Sequence, residues 1–174
     1  HCHRLSAGRA GPSIFPDAGA QPCGVRGVHP AGIEAISQSR LPRRERELVI
    51  LRTGWLCDAP YQWGEHVHTG REAGLTDAEI EAVKAGSAHP GWNASDRALL
   101  RAVEELVGTR TIGDACWADL AAHFDESQLI DLPIIVGHYT MTAYLQNALR
   151  FAPNRDAAGR LYDEDEFYGR APAA

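Results

Sequence analysis

Apolar residues recur along most of this chain at intervals of three and four, the repeat of a helix that buries one face. Leu99, Leu100, Val103 and Leu106 form such a stripe, predicting a helix from Asn93 or Ser95 to about Val107. Between Arg43 and Cys57 the pattern is denser, with Leu48, Val49, Ile50, Leu51, Trp55 and Leu56 covering more than half the circumference. A helix this apolar is expected to pack on two sides, within its own chain or against another subunit. Pro42 stands at or just before its first turn, where a missing N–H costs nothing.

Further start and stop signals divide the rest. Asp58 is the expected N-cap of the next helix, with Pro60 near its first position and Gly74 at its end. Thr76-Asp77-Ala78-Glu79 forms a capping box, opening a short helix that stops near Gly86. Asp114 starts another, ending near Phe124, and Asp125-Glu126 opens the longest, to about Phe151. Pro133 in that segment should either mark a kink or fall within the first turn. A short helix from Pro30 to Ser39 carries Ile33 and Ile36 inward. No segment alternates with a period of two, so the expected fold is all-α.

The two ends lack this periodicity. Residues 1–27 are punctuated by glycine and proline and are expected to form an irregular N-terminal arm lying on the body or a neighbouring subunit. Residues 28–152 are expected to form the helical domain, and 153–174, with the acidic run DEDEFYGR, a polar C-terminal tail.

Composition narrows the class. A length of 174 residues suits one domain with a real core. A formal net charge of -6 argues against a nucleic-acid or anionic-membrane partner. No apolar run approaches the roughly 20 residues that cross a bilayer. Cys2, Cys23, Cys57 and Cys116 are scattered without paired or zinc-type spacing, which points to a reduced, cytoplasmic protein with free thiols and no bound metal.

The candidate chemistry lies where the two central helices meet. Glu47 is in the first helix, the break falls at Asp58-Ala59-Pro60, and His66 is in the second. A carboxyl and an imidazole on either side of such a junction can relay a proton, because burial and each other tune their pKa values. Ala59, Gln62, His66, Thr69 and Ala73 share one face of the second helix, by their three- and four-residue spacing. Its N-terminus near Ala59 favours a carboxylate or enolate. Gly54, two turns after Glu47, leaves room for another backbone or a ligand. Tyr61 and Trp63 are candidate pocket wall or core. Arg52 is a candidate anchor for a substrate carboxylate, or an ion-pair partner of Glu45 or Glu105. His138 is a candidate for the pocket from the last helix. His68 points away from His66, so the pair is not a metal site.

The spacing from Glu47 to positions 59 and 62 and then to His66 resembles that of the alkylhydroperoxidase-like proteins, whose pattern is Glu, Cys-x-x-Cys, x-x-x-His. Here the two cysteine positions are Ala59 and Gln62, which leaves a thiol cycle without its redox couple. The chain is similar to the cysteine-free branch, the carboxymuconolactone decarboxylase family, through LPRRERELVILRTGWLC, YQWGEHV, GREAGLTDAEIEAVKAG, DRALLRAVEELV and QLIDLPIIVGHYTMTAYLQNAL. The glycine- and proline-rich arm before Val28 departs from the helix the family places there.

That resemblance implies a compact multi-helix alkylhydroperoxidase-like domain, assembled as a homo-oligomer from dimer to hexamer. It also implies a cofactor-independent, decarboxylase-like lyase or proton-transfer enzyme, acting on a small carboxylate or lactone. Glu47 and His66 are then the catalytic pair, and Tyr61, Gln62, Trp63, Arg52 and His138 the substrate contacts. Two other functions remain open: a thiol-dependent peroxidase or oxidoreductase using Cys57, and a non-catalytic oligomeric binding protein.

Overall fold

The computed structural model describes residues 36–151, and within them the regular structure is helical. The arm at 1–27, most of the helix expected over 30–39 and the tail from 153 lie outside those residues, although Ile36 and Ser37 are helical. In chain order the helices are α1 (Arg43–Leu56), α2 (Pro60–Glu72), α3 (Asp77–Ala85), α4 (Ala94–Thr109), α5 (Asp114–Ala121) and α6 (Glu126–Ala148), with a single 3₁₀ turn at Gly86–Ala88.

Local chemistry sets most of the boundaries. Thr76 and Glu79 cap α3 reciprocally, and Asp125 and Gln128 do the same for α6. Asn93, one of the two expected residues, caps α4 by accepting from the Asp96 N–H. Asp58 does not cap α2: it takes the left-handed conformation (φ 49°), and Ala59 occupies the N-cap without a side-chain bond. The Ala59 N–H instead donates to the Gly54 carbonyl at 3.0 Å, which closes the corner through the backbone. Gly86 ends α3 with φ 71°, and a Cβ there would run into the side chains of Arg52 and Glu104. Pro133 lies past the first turn of α6, at an exposed position.

α1 is the axis of the fold. Every residue from Glu47 to Gly54 is buried, because α2, α3, α4 and α6 surround it. The breadth of its apolar surface is therefore explained within one chain. On one side Val49 and Ile50 meet Leu99, Val103, Leu120, Leu132 and Ile135. On the other Leu48 and Leu51 meet Trp63, Val67, Val83, Trp92 and Leu100. Burying each such side chain stabilises the fold by about 1.5–3 kcal/mol, before the entropy of ordering is subtracted. The two half-cores hold α1 from opposite directions and fix the facing of its polar residues. None of the described helices is long and apolar enough to cross a membrane.

Candidate functional site

Two buried charged residues leave α1 in different directions. Glu47, 6% exposed, looks toward α2. There His66 Nδ1 lies 2.7 Å from Glu47 Oε2, and Thr69 Oγ1 donates to the same oxygen at 2.9 Å. His66 and Thr69 are three apart on one helix, so their side chains converge on a single point. A carboxylate facing Nδ1 assigns the imidazole proton to that nitrogen. Nε2 then carries the lone pair, and it has no hydrogen-bond partner among the described residues.

Burial by itself pushes the Glu47 carboxyl up, but the His66 hydrogen bond and charge, the Thr69 hydroxyl and the Arg46 cation outweigh it. The net direction is down, so Glu47 stays ionised and holds the ring. Across from it, the Tyr139 ring of α6 stands edge-on to His66, with centroids 4.9 Å apart. Burial pushes the Tyr139 phenol up to about 12, Glu47 adding to the rise and Arg46 opposing it. It is a neutral O–H at ordinary pH. Neither Thr69 nor Tyr139 is among the expected site residues. The signal for Thr69 was its three-residue offset from His66; that for Tyr139 was a polar ring in an otherwise apolar helix.

Gln62 sits one turn before His66 on the same face of α2. It is 2% exposed, and neither atom of its carboxamide has a partner among the described residues. An unpaired buried polar group costs roughly 1–3 kcal/mol. The Gln62 amide lies over Gly54, where an added Cβ would stand 3.2 Å from Nε2. The glycine admits the Gln62 side chain here, where another backbone or a ligand was expected.

The other expected contacts separate from this centre. Arg52, 8% exposed, is held by protein: its Nε and Nη2 engage Glu104 at 3.1 and 2.9 Å, and Nη1 donates to the carbonyls of Val83 and Lys84. Its partner is Glu104, where the sequence offered Glu45 or Glu105, and it ties α1 to the end of α3. Trp63 is core, tilted against Trp55 at 5.4 Å, with the Lys84 ammonium over both rings. Tyr61 is half-buried and meets Phe151 edge-on, its phenol raised by burial and by Glu65. His138 packs against Tyr139 at 5.3 Å and does not meet His66 in a ring contact. Cys57 is half-buried at the corner, where its carbonyl accepts from Asn147 of α6. Cys116 is buried in the core, and that burial, with Glu105 next in effect, pushes its thiol up to about 11. A surface cavity of about 260 Å³ lies between α4 and α5, lined by residues that include Arg97, Arg101 and His123, and touches none of the expected site residues.

Residues 31–105, which carry Glu47, Gln62 and His66, match the model of the carboxymuconolactone decarboxylase family. The fold is also that of a protein of unknown function from Agrobacterium tumefaciens, proposed as the antioxidant defence protein AhpD. That similarity has a TM-score of 0.71 at 22% identity and covers 82% of this chain and 99% of the other. The family match covers less than half of the chain, and the structural likeness is one of fold.

Two further comparisons frame the site. An uncharacterized peroxidase-related protein from Silicibacter sp. TM1040 superposes with a TM-score of 0.66 at 18% identity, over 75% of this chain and 72% of its own. The uncharacterized protein YdfG of Bacillus subtilis (strain 168) is 25% identical over 101 residues, 57% of this chain and 69% of that protein. In this chain the thiol positions expected from the pattern hold a buried alanine and the unpaired Gln62.

Proposed function

We propose that this protein is a cofactor-independent acid–base enzyme of the decarboxylase type, acting on a small organic acid or lactone. The observation that carries the proposal is the 2.7 Å contact between Glu47 and His66 Nδ1, which leaves Nε2 as the working nitrogen. In an acid whose carboxylate lies β to a carbonyl or its vinylogue, the C–C bond to CO2 breaks. Its electron pair moves into the conjugated carbonyl, giving an enolate or dienolate. Protonated His66 then gives its Nε2 proton to carbon, and the ring regains a proton from solvent. The sum is one carboxylate plus one proton yielding one CO2 and one neutral product protonated at carbon. Glu47 keeps the ring oriented and stabilises its cationic form, while Thr69 holds Glu47.

The test is turnover of γ-carboxymuconolactone, followed as CO2 release, with wild type and His66→Ala. Turnover that falls at least a hundredfold in the variant supports the reading. Turnover unchanged by the substitution sinks it, and no turnover by either removes this substrate, so that neighbouring acids are tried next.

A thiol oxidoreductase is the second reading, favoured by the half-buried Cys57 at the same corner and by the peroxidase-related name of one structural relative. Under it, Cys57→Ser abolishes peroxide-dependent turnover; under the first reading the substitution leaves CO2 release within a few-fold. Self-assembly accompanies either reading. Ile130, Ile134, Met141 and Tyr144 lie exposed along α6 at alternating spacings of four, seven and three, a seam suited to another helix. Sedimentation of wild type beside Ile134→Asp tests it, with a lighter species expected for the variant.

A further inference from the structure

The fold leaves a buried polar side chain unsatisfied one helical turn from the acid–base pair. α2 and α6 run antiparallel across the site, since His66 meets Tyr139 and Tyr61 meets Phe151. Below His66 on α2 comes Gln62, with both carboxamide atoms buried and unpartnered among the described residues. Beyond Tyr139 on the same face of α6 come Ala143, fully buried, and then Gln146, whose Oε1 is likewise buried and unpartnered. Gly54, beneath the Gln62 amide, carries no side chain. A packed interior seldom tolerates a carboxamide orphaned at both atoms, as Gln62 is. A core that needed only to be filled would place leucine or methionine at 62.

We propose that Gln62 is the substrate-recognition subsite of the Glu47–His66 centre, and that it binds an uncharged carbonyl oxygen of the lactone, ester or ketone class. The inference rests on the acid–base reading above and deepens it. A carboxamide offers an N–H donor to a carbonyl oxygen and keeps it when that oxygen gains negative charge. A free carboxylate fits less well, because the subsite's own polar groups are neutral and the ionised Glu47 lies one turn away. The carbonyl oxygen that accepts electrons during decarboxylation is therefore held by Gln62, while His66 addresses the carbon. Entry displaces the Gln62 side chain from its place over Gly54, whose missing Cβ leaves the amide room to turn.

The experiment uses the full chain labelled with 15N, and follows the Gln62 side-chain NH2 pair, assigned by its loss in Gln62→Met. The probes are but-2-en-4-olide, a neutral unsaturated lactone, and sodium crotonate, an open-chain carboxylate of similar size. The lactone is expected to shift the Gln62 pair at concentrations where crotonate does not, and Gln62→Met to weaken lactone binding at least tenfold. The same variant should unfold at an equal or higher temperature, because it removes an unsatisfied group. A Gln62 pair that ignores the lactone, or that responds equally to both probes, overturns the proposal; an ordered internal water satisfying the amide gives the first of these results. So does a clear loss of thermal stability in Gln62→Met, which would mean the amide is bonded in the native protein. His66→Ala separates the two ideas: it should abolish turnover while leaving the lactone-induced shift in place. Failure of the acid–base reading then leaves the shift intact, and failure of the subsite leaves CO2 release by Gln62→Met unchanged.

Discussion

Arg52 and Glu47 lie on the same helix, five residues apart, and both are buried, yet their surroundings differ in one decisive respect. Around Arg52 the hydrogen bonding is closed. The guanidinium engages Glu104 and two carbonyls, and Glu104 in turn accepts from the backbone and hydroxyl of Ser87. Around Glu47 it is open. Its carboxylate holds His66 and Thr69, but Nε2 of His66 and the carboxamide of Gln62 have no partner among the described residues. A saturated buried charge fastens helices together; an unsaturated one keeps bonding capacity for something else. Closure of the network, more than burial or charge, separates the two roles.

The sharpest way to break this comparison is to remove one member of each network and watch different observables. His66→Ala should lower turnover by about 10²–10⁴-fold, the range for losing a positioned acid or base, and should also lower Tm, because Glu47 stays buried with Thr69 as its remaining side-chain donor. Arg52→Met should lower Tm while leaving turnover within a few-fold. It strands Glu104 and two α3 carbonyls, and breaking a buried pair costs about 3 kcal/mol, which lowers Tm by roughly 6–12 °C in a chain of this size. Calorimetry of both variants beside their kinetics checks the pair. If Arg52→Met instead lost activity at unchanged Tm, the division of roles would be wrong.

The sequence carried the open network better than the closed one, for a physical reason. Glu47 and His66 are placed by regular helices joined at a corner, and helical spacing fixes direction, so a motif read on paper survives folding. The contrast at 138 and 139 shows the limit. Neighbours on a helix point about 100° apart, and which of two adjacent polar rings enters the site depends on the rotation of α6, which the described sequence pattern leaves loose. The structure turns Tyr139, rather than His138, onto His66. Arg52 was misplaced for a related reason. Its partner comes from a helix that approaches from the far side, and nothing local in the sequence encodes that approach. The Asp58 cap failed because the corner is closed by a backbone bond from Ala59 to Gly54, which leaves no mark on residue identity.

A smaller effect sharpens the contrast within the open network. Thr69→Val removes one of the two donors on Glu47 Oε2 while keeping the side chain's shape. One such bond to a charged group is worth about 1.5–3 kcal/mol at most, so turnover should fall roughly tenfold rather than a thousandfold. The pH profile gives the more specific readout. The folded-state pKa of Glu47 is depressed, so its contribution is present above the unfolded-state value and is lost as pH falls through the folded one. Losing the Thr69 donor raises that folded pKa, and the acid limbs of both stability and turnover should move to higher pH. An unmoved limb with a simple drop in Tm would make Thr69 a packing residue.

Tyr139→Phe is the mildest change and probes the edge of the site. The ring contact with His66 survives it, and only the hydroxyl is lost. With the folded-state pKa raised to about 12, Tyr139 makes its contribution in full below the ordinary tyrosine value near 10, and loses it as pH rises from there towards 12. Wild type should therefore weaken between about pH 10 and 12 more than the phenylalanine variant does, measured as Tm against pH. At neutral pH the two should differ in Tm by no more than a few degrees. Turnover decides what the hydroxyl does. A loss within about threefold makes Tyr139 a wall that holds the imidazole in place, whereas a tenfold loss at unchanged Tm would extend the open network across the cleft to α6.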